Sequence, residues 1–135
     1  MSVPKHLRGE SELEFIYCAR KLQVHTIRKC ANFPKKYRFS ISNPLELSAR
    51  EIHGNVKKGN SIYPRNQHEF QMRRDYFLRA YAELYDFASQ LEIAKELIET
   101  LDDDAFLFWI SIVRQEIKLV KGIMDSDKRR FKNLL

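Results

Sequence analysis

Between residues 70 and 98 the chain repeats itself: Phe70, Phe77, Leu84, Leu91 and Ile98 recur at seven-residue intervals, and Ala80, Phe87, Ala94 and Leu101 fill the complementary positions. A 3.5-residue period held over four heptads places one apolar stripe along a long helix and requires other helices to cover it at shallow angles. Arg73 lies in that stripe, at the position that Ala80, Phe87 and Ala94 continue. A charge there is predicted either to snorkel out of the bundle end or to line a subunit interface or an anion site.

Three further segments supply the covering helices. Ser11-Glu12-Leu13-Glu14 has capping-box spacing, and a helix starting there carries Phe15, Ile16, Ala19, Leu22, Ile27 and Cys30 on one face. It is expected to stop before Phe33-Pro34, because a residue preceding proline avoids the helical region. Asn43-Pro44 predicts a second start, with Asn43 as N-cap and Pro44 at N1; Leu45, Ala49, Ile52 and Val56 form its seam, which ends at Gly59. The third helix, carrying the repeat, opens at the cap-like pair Asn66 and Glu69. Asp102, Asp103 and Asp104 open the fourth, where a helix N-terminus favours negative charge, and Phe106, Ile110, Val113, Ile117, Val120 and Met124 are its seam.

Short connections make successive helices antiparallel, so the predicted fold is all-α, an up-down-up-down antiparallel four-helix bundle. Residues 1–135 form a single domain with a basic tail from about residue 125, DKRRFKNLL, expected to fray or to engage a partner. PKKYRFSIS is left as an irregular connector. With 44% hydrophobic residues, 4 Gly and 4 Pro, the composition excludes disordered and fibrous classes. No apolar run approaches the roughly 18 residues of a membrane span, and MSVPKHLRGESE lacks the apolar core of a signal peptide, so a cytoplasmic location is expected. Cys18 and Cys30 would stand roughly 18 Å apart on one helix, beyond disulfide reach.

The net charge of +6 is unevenly placed. In the up-down order one end holds residues 1–22, 53–82 and 115–135, with 16 Lys and Arg against 8 Asp and Glu; the other has 8 against 10. Lys57, Lys58, Arg65, Arg73, Arg74, Arg79, Lys118, Lys121, Lys128, Arg129 and Arg130 therefore gather at one end and are the candidate nucleic-acid contacts. Phosphates met by such a surface supply affinity without sequence readout. Arg28, Lys29, Lys35, Lys36 and Arg38 lie at the other end, near the acidic run from Glu92 to Asp104. Neutralisation within the bundle or between subunits is the expectation for them, and base stacking on Phe33, Tyr37 and Phe39 the alternative. Tyr76, Tyr81 and Tyr85 are candidate interface aromatics.

No catalytic constellation emerges. His6, His25, His53 and His68 lack metal-ligand spacing, Gly54 and Gly59 lack the strand and Lys-Ser/Thr of a phosphate loop, and Glu92 with Glu96 is a solvated pair. The expectation is a non-enzymatic protein without metal or cofactor.

Phe33-Pro34, then Asn55-Val56-Lys57-Lys58-Gly59-Asn60-Ser61, then Arg73-Arg74-Asp75-Tyr76-Phe77-Leu78-Arg79-Ala80, and Glu83-Leu84 through Ser89-Gln90-Leu91-Glu92-Ile93-Ala94, carry a resemblance in their order and spacing over roughly residues 11–125. The chain resembles the small bacterial four-helix-bundle family that includes the 23S ribosomal RNA intervening-sequence proteins and the accessory variability determinant (Avd) of diversity-generating retroelements. The intervening-sequence branch usually ends its second helix Asn-Ile-Ala-Glu-Gly, whereas this chain has Asn55-Val56-Lys57-Lys58-Gly59, a base replacing an acid, which favours the Avd branch. That resemblance implies a homopentameric barrel, association with a retroelement reverse transcriptase and its RNA, and support of mutagenic cDNA synthesis. The alternatives are a protein-interaction scaffold, an rRNA-associated intervening-sequence protein, or an enzyme with its site between subunits.

Overall fold

A computed structural model describes residues 13–135, and all of its regular structure is helical. The helices are α1 (Glu14–Cys30), α2 (Asn43–Asn60), α3 (Gln67–Leu97) and α4 (Asp103–Arg130). Ser11, proposed above as the first cap, lies outside the described residues. Two other caps form as the sequence predicts: the Glu69 amide donates to the Asn66 side chain at 2.9 Å, and the Ala105 amide to Asp102 at 2.8 Å.

Contacts between the helices run in opposite directions along each pair. Ser48 meets Glu83 while Gly59 meets Phe77; Phe87 meets Trp109 while Arg73 meets Asp127; Cys18 reaches the Ile112 carbonyl while Thr26 reaches Trp109. The molecule is an antiparallel four-helix bundle around one core. Every residue of the heptad repeat is buried, including Ile98 and Leu101, which lie past the end of α3. Trp109 is the largest fully buried side chain. Its indole N–H donates to the Thr26 hydroxyl at 3.2 Å, and that hydroxyl donates to the Leu22 carbonyl at 2.7 Å, so both polar groups brought inside are satisfied.

The structure departs from the sequence reading in three places. Asn43 is not a cap: residues Lys35–Tyr37 form a 3₁₀ turn and Arg38–Ser42 a π-helical turn that runs without a break into α2, so no free N-terminus exists there to be capped. Ile27 is 48% exposed, because the polar Thr26 takes the inward position to satisfy Trp109. The C-terminal segment does not fray; Phe131 is buried against Tyr63 and Phe70, and Lys132–Leu134 closes in a 3₁₀ turn.

Gly59 is where α2 crosses the ring of Phe77 most closely, since a Cβ there would lie 2.6 Å from the ring edge, whereas a Cβ on Gly54 meets nothing within 4 Å. Phe77 is fully buried and has nowhere to move. The two glycines of one helix therefore respond oppositely to Ala. Gly59→Ala is expected to cost about 1–3 kcal/mol through overpacking, and Gly54→Ala to add about 0.5–1 kcal/mol, both read by denaturant titration.

Candidate nucleic-acid interface

The C-terminal half of α2, the N-terminal half of α3 and the C-terminal half of α4 meet at one end of the bundle. Lys57, Lys58, Arg65, Arg79, Lys118, Lys121, Lys128, Arg129 and Arg130 are exposed there, and Arg74 is half-buried. Among them, Lys58 and Arg79 converge on one aromatic ring: the Lys58 ammonium stands 5.9 Å from the centroid of Tyr76 and the Arg79 guanidinium 5.3 Å from it. Cation–π contact restrains both long side chains while leaving their donors to solvent. Arg65 is engaged instead with Glu69 through its backbone amide at 2.9 Å and its guanidinium at 3.3 Å.

The cations do not form one cluster. Lys57, Lys58 and Arg79 belong to the α2/α3 side. Lys118 lies across α3 from them, bordering a groove of about 350 Å³ between α3 and α4 that Tyr85 and Ile117 also line. The hydrogen bond with Tyr81 holds the Tyr85 phenol above its ordinary range, and the charge of Lys121 nearby only partly opposes it. Between these two basic strips the outer face of α3 exposes Leu78, Tyr85 and Ile93. Arg129 and Arg130 cap the end, Arg130 lying over Phe131 at 5.0 Å.

Arg73 is removed from the candidate contacts. Its side chain is only 7% exposed, neither snorkelling nor facing a ligand. Nε donates to Asp127 Oδ2 at 2.7 Å, one terminal nitrogen to Asp127 Oδ1 at 3.2 Å, and the other to the carbonyls of Gly59 and Ile62 at 3.2 and 2.9 Å. Its cationic centre also lies 4.9 Å from the Phe77 centroid. A heptad position demands burial, burial of a guanidinium demands a carboxylate, and Asp127 supplies it. Asp127 was legible in principle, because it follows Met124 by three residues in the α4 seam.

Glu116 occupies a seam position too, three residues after Val113, and it is fully buried with no hydrogen-bond partner for either carboxyl oxygen among the described residues. Cys18 adjoins it, but that thiol donates to the Ile112 carbonyl at 3.6 Å. Burial pushes the Glu116 carboxyl up to about 9, with the charge of Glu14 adding to the effect, so it is neutral at pH 7. Burial likewise pushes Cys18 and Cys30 up to about 12, which leaves neither as a thiolate.

With Arg73, Asp127 and Glu116 withdrawn, the described surface of this end carries thirteen Lys and Arg against four acids, Glu14, Glu69, Asp75 and Asp125. The contrast with the other end is stronger than the sequence count implied. Among the described residues no group of three or more His, Cys, Asp or Glu is placed to hold a metal ion, and no helix is long and apolar enough to cross a membrane.

Two stability predictions follow from the interior charges. Asp127→Asn leaves Arg73 buried and only half paired, and is expected to cost about 3–5 kcal/mol in denaturant titration. For Glu116 the unfolded chain loses the proton near pH 4.5 and the folded chain near pH 9. Across that window the folded state binds more protons, so this group's contribution falls as pH rises, by up to about 1.4 kcal/mol per pH unit. Glu116→Gln should flatten the decline of the thermal midpoint between pH 5 and pH 9; an unchanged profile would show that Glu116 ionises freely in the fold.

Compared with known proteins, the chain matches no family model and no curated protein.

Proposed function

We propose that this protein is a non-enzymatic accessory factor of the Avd type, which binds structured RNA through the basic end of its bundle and works with a retroelement reverse transcriptase in mutagenic cDNA synthesis. The observation that carries the RNA component is the thirteen-to-four excess of cations over acids on the described surface of that end, twelve of the cations exposed and Arg74 half-buried, with Lys58 and Arg79 held on Tyr76. Charge so concentrated attracts a polyanion by counterion release and orients it without reading bases. The reverse-transcriptase component rests on the family resemblance carried by residues 33–34, 55–61, 73–80 and 83–94.

Self-association into a ring of subunits, a pentamer in that family, belongs to the same reading. Its support is the outer face of α3, where Leu78, Tyr85 and Ile93 stand opposite the buried heptad stripe and are 40%, 54% and 44% exposed. These three exposed apolar side chains stand among polar ones, and a contact between subunits along this face would bury them. Placing subunits along this strip would bring the flanking basic strips of neighbouring copies together and lengthen the polyanion track.

The reading is tested by measuring affinity for a long structured RNA across a salt series. The wild type should lose affinity with a log–log slope of roughly 0.7–0.9 per phosphate engaged. Lys57→Glu, Lys58→Glu and Arg79→Glu together, all on exposed positions, should make that slope shallower by about 2 to 3. An unchanged slope would move the contact elsewhere, and no RNA binding at physiological salt would favour a scaffold that docks an acidic protein. Co-purification with a reverse transcriptase encoded beside it tests the second component.

A further inference from the structure

At the end of the bundle opposite the basic strips, the C-terminus of α1, the 3₁₀ and π turns and the start of α2 enclose a cavity of about 430 Å³. That volume falls within the usual range for small-molecule sites. Its wall carries two cations, Lys35 and Arg38, and one acid, Glu46, on a lining that includes Ile27, Phe33 and Pro34. None of the three charged groups is ion-paired among the described residues. Because neither cation closes on Glu46, all three keep their hydrogen-bonding capacity for a ligand that is anionic at one end and a hydrogen-bond donor at the other. Cys30 also reaches this cavity, but as a buried protonated thiol it offers no nucleophile, so the ligand is held non-covalently.

We propose that this cavity binds a guanine nucleotide, either free or as an unpaired residue of an RNA strand. The choice of base follows from Glu46. A carboxylate is an acceptor with two oxygens, and guanine alone among the four bases presents two adjacent N–H donors, N1–H and the 2-amino group, on its Watson–Crick edge. Adenine and cytosine place a bare acceptor nitrogen beside their amino group, and uracil flanks its one N–H with carbonyls, so each sets a lone pair against the carboxylate. Lys35 and Arg38 supply the charge-assisted bonds that a phosphate takes. Phe33 and Pro34 give the base an apolar surface of the kind on which splayed-out bases rest. The site lies roughly 17 Å along α2 from Lys57, at 1.5 Å per residue, and does not depend on the RNA reading of the basic end.

Titration calorimetry with GMP, AMP and guanosine tests it, alongside a hairpin RNA carrying one bulged G and its bulged-A counterpart. These RNAs are offered to the Lys57→Glu, Lys58→Glu, Arg79→Glu variant so that the basic end does not contribute. Either GMP over AMP or bulged G over bulged A by about tenfold, the worth of one charge-assisted hydrogen bond, is expected, and which pair shows it identifies the source of the nucleotide. Glu46→Gln, at a half-buried position off the core, should abolish that preference with an unchanged thermal midpoint. Lys35→Ala with Arg38→Ala should weaken GMP about tenfold more than guanosine. No binding in either pair, equal binding of G and A, or a preference that survives Glu46→Gln overturns the proposal.

Discussion

Arg73 and Asp127 lie opposite each other in the interior, and their pairing determines much of what surrounds them. The guanidinium joins α3 to α4 through the Asp127 carboxylate, to the last turn of α2 through the Gly59 carbonyl and to the α2–α3 loop through the Ile62 carbonyl. Four of its five N–H donors are used, which is what makes the burial of a full charge tolerable. The same contacts fix where α2 ends: Gly59 offers its carbonyl to Arg73 and its bare Cα to the Phe77 ring, and Phe77 in turn receives the cation on its face. One apolar cluster would hold the helices together at many registers, whereas a bidentate pair across α3 and α4 accepts one. The pair thus contributes specificity of register more than net stability.

The interior also bears on the surface. Arg73 and Asp127 cancel each other and leave the net charge of this end unchanged, whereas Glu116, neutral in the core, removes one negative charge that would offset the cations outside. The positive field of this end is therefore set partly by where this acid is buried. Counting along the sequence gives Glu116 a full negative charge and so understates the field by one.

The fold was legible because its signals are periodic and local. The heptad run from Phe70 to Leu101 predicted a buried stripe, and every member is buried; Asn66 and Asp102 predicted caps, and both form. Features that depend on a distant partner were not legible. Ile27 was assigned inward on apolarity, yet Thr26 is inward because Trp109, eighty-three residues away, needs an acceptor. Asn43-Pro44 looked like a helix start, but a cap is required only where the preceding backbone leaves the helix, and the π turn at Arg38–Ser42 never does. Of the candidate site, the exposed cations could be read from the chain; for the withdrawal of Arg73 the chain offered only the place of Asp127 in the α4 seam, and their pairing rests on a contact fifty-four residues away.

The opposite end shows how far charge alone leads. Arg28, Lys29, Lys35, Lys36 and Arg38 were expected to be neutralised, within the bundle or between subunits, near the acidic run from Glu92 to Asp104. Among the described residues the one ion pair at this end is Lys95 with Asp103, and none of the five cations closes on a carboxylate of the same chain. The aromatics interleaved with them divide: Phe33 and Tyr37 pack against the core, and only Phe39, 83% exposed on the π turn, projects outward. Residues two apart on a helical turn face nearly opposite sides, so Ile41 reaches the interior while Phe39, two residues earlier, faces solvent. The connector that looked irregular in sequence is therefore a shaped element, holding Arg38 at a cavity and an aromatic ring in solvent within two residues of each other.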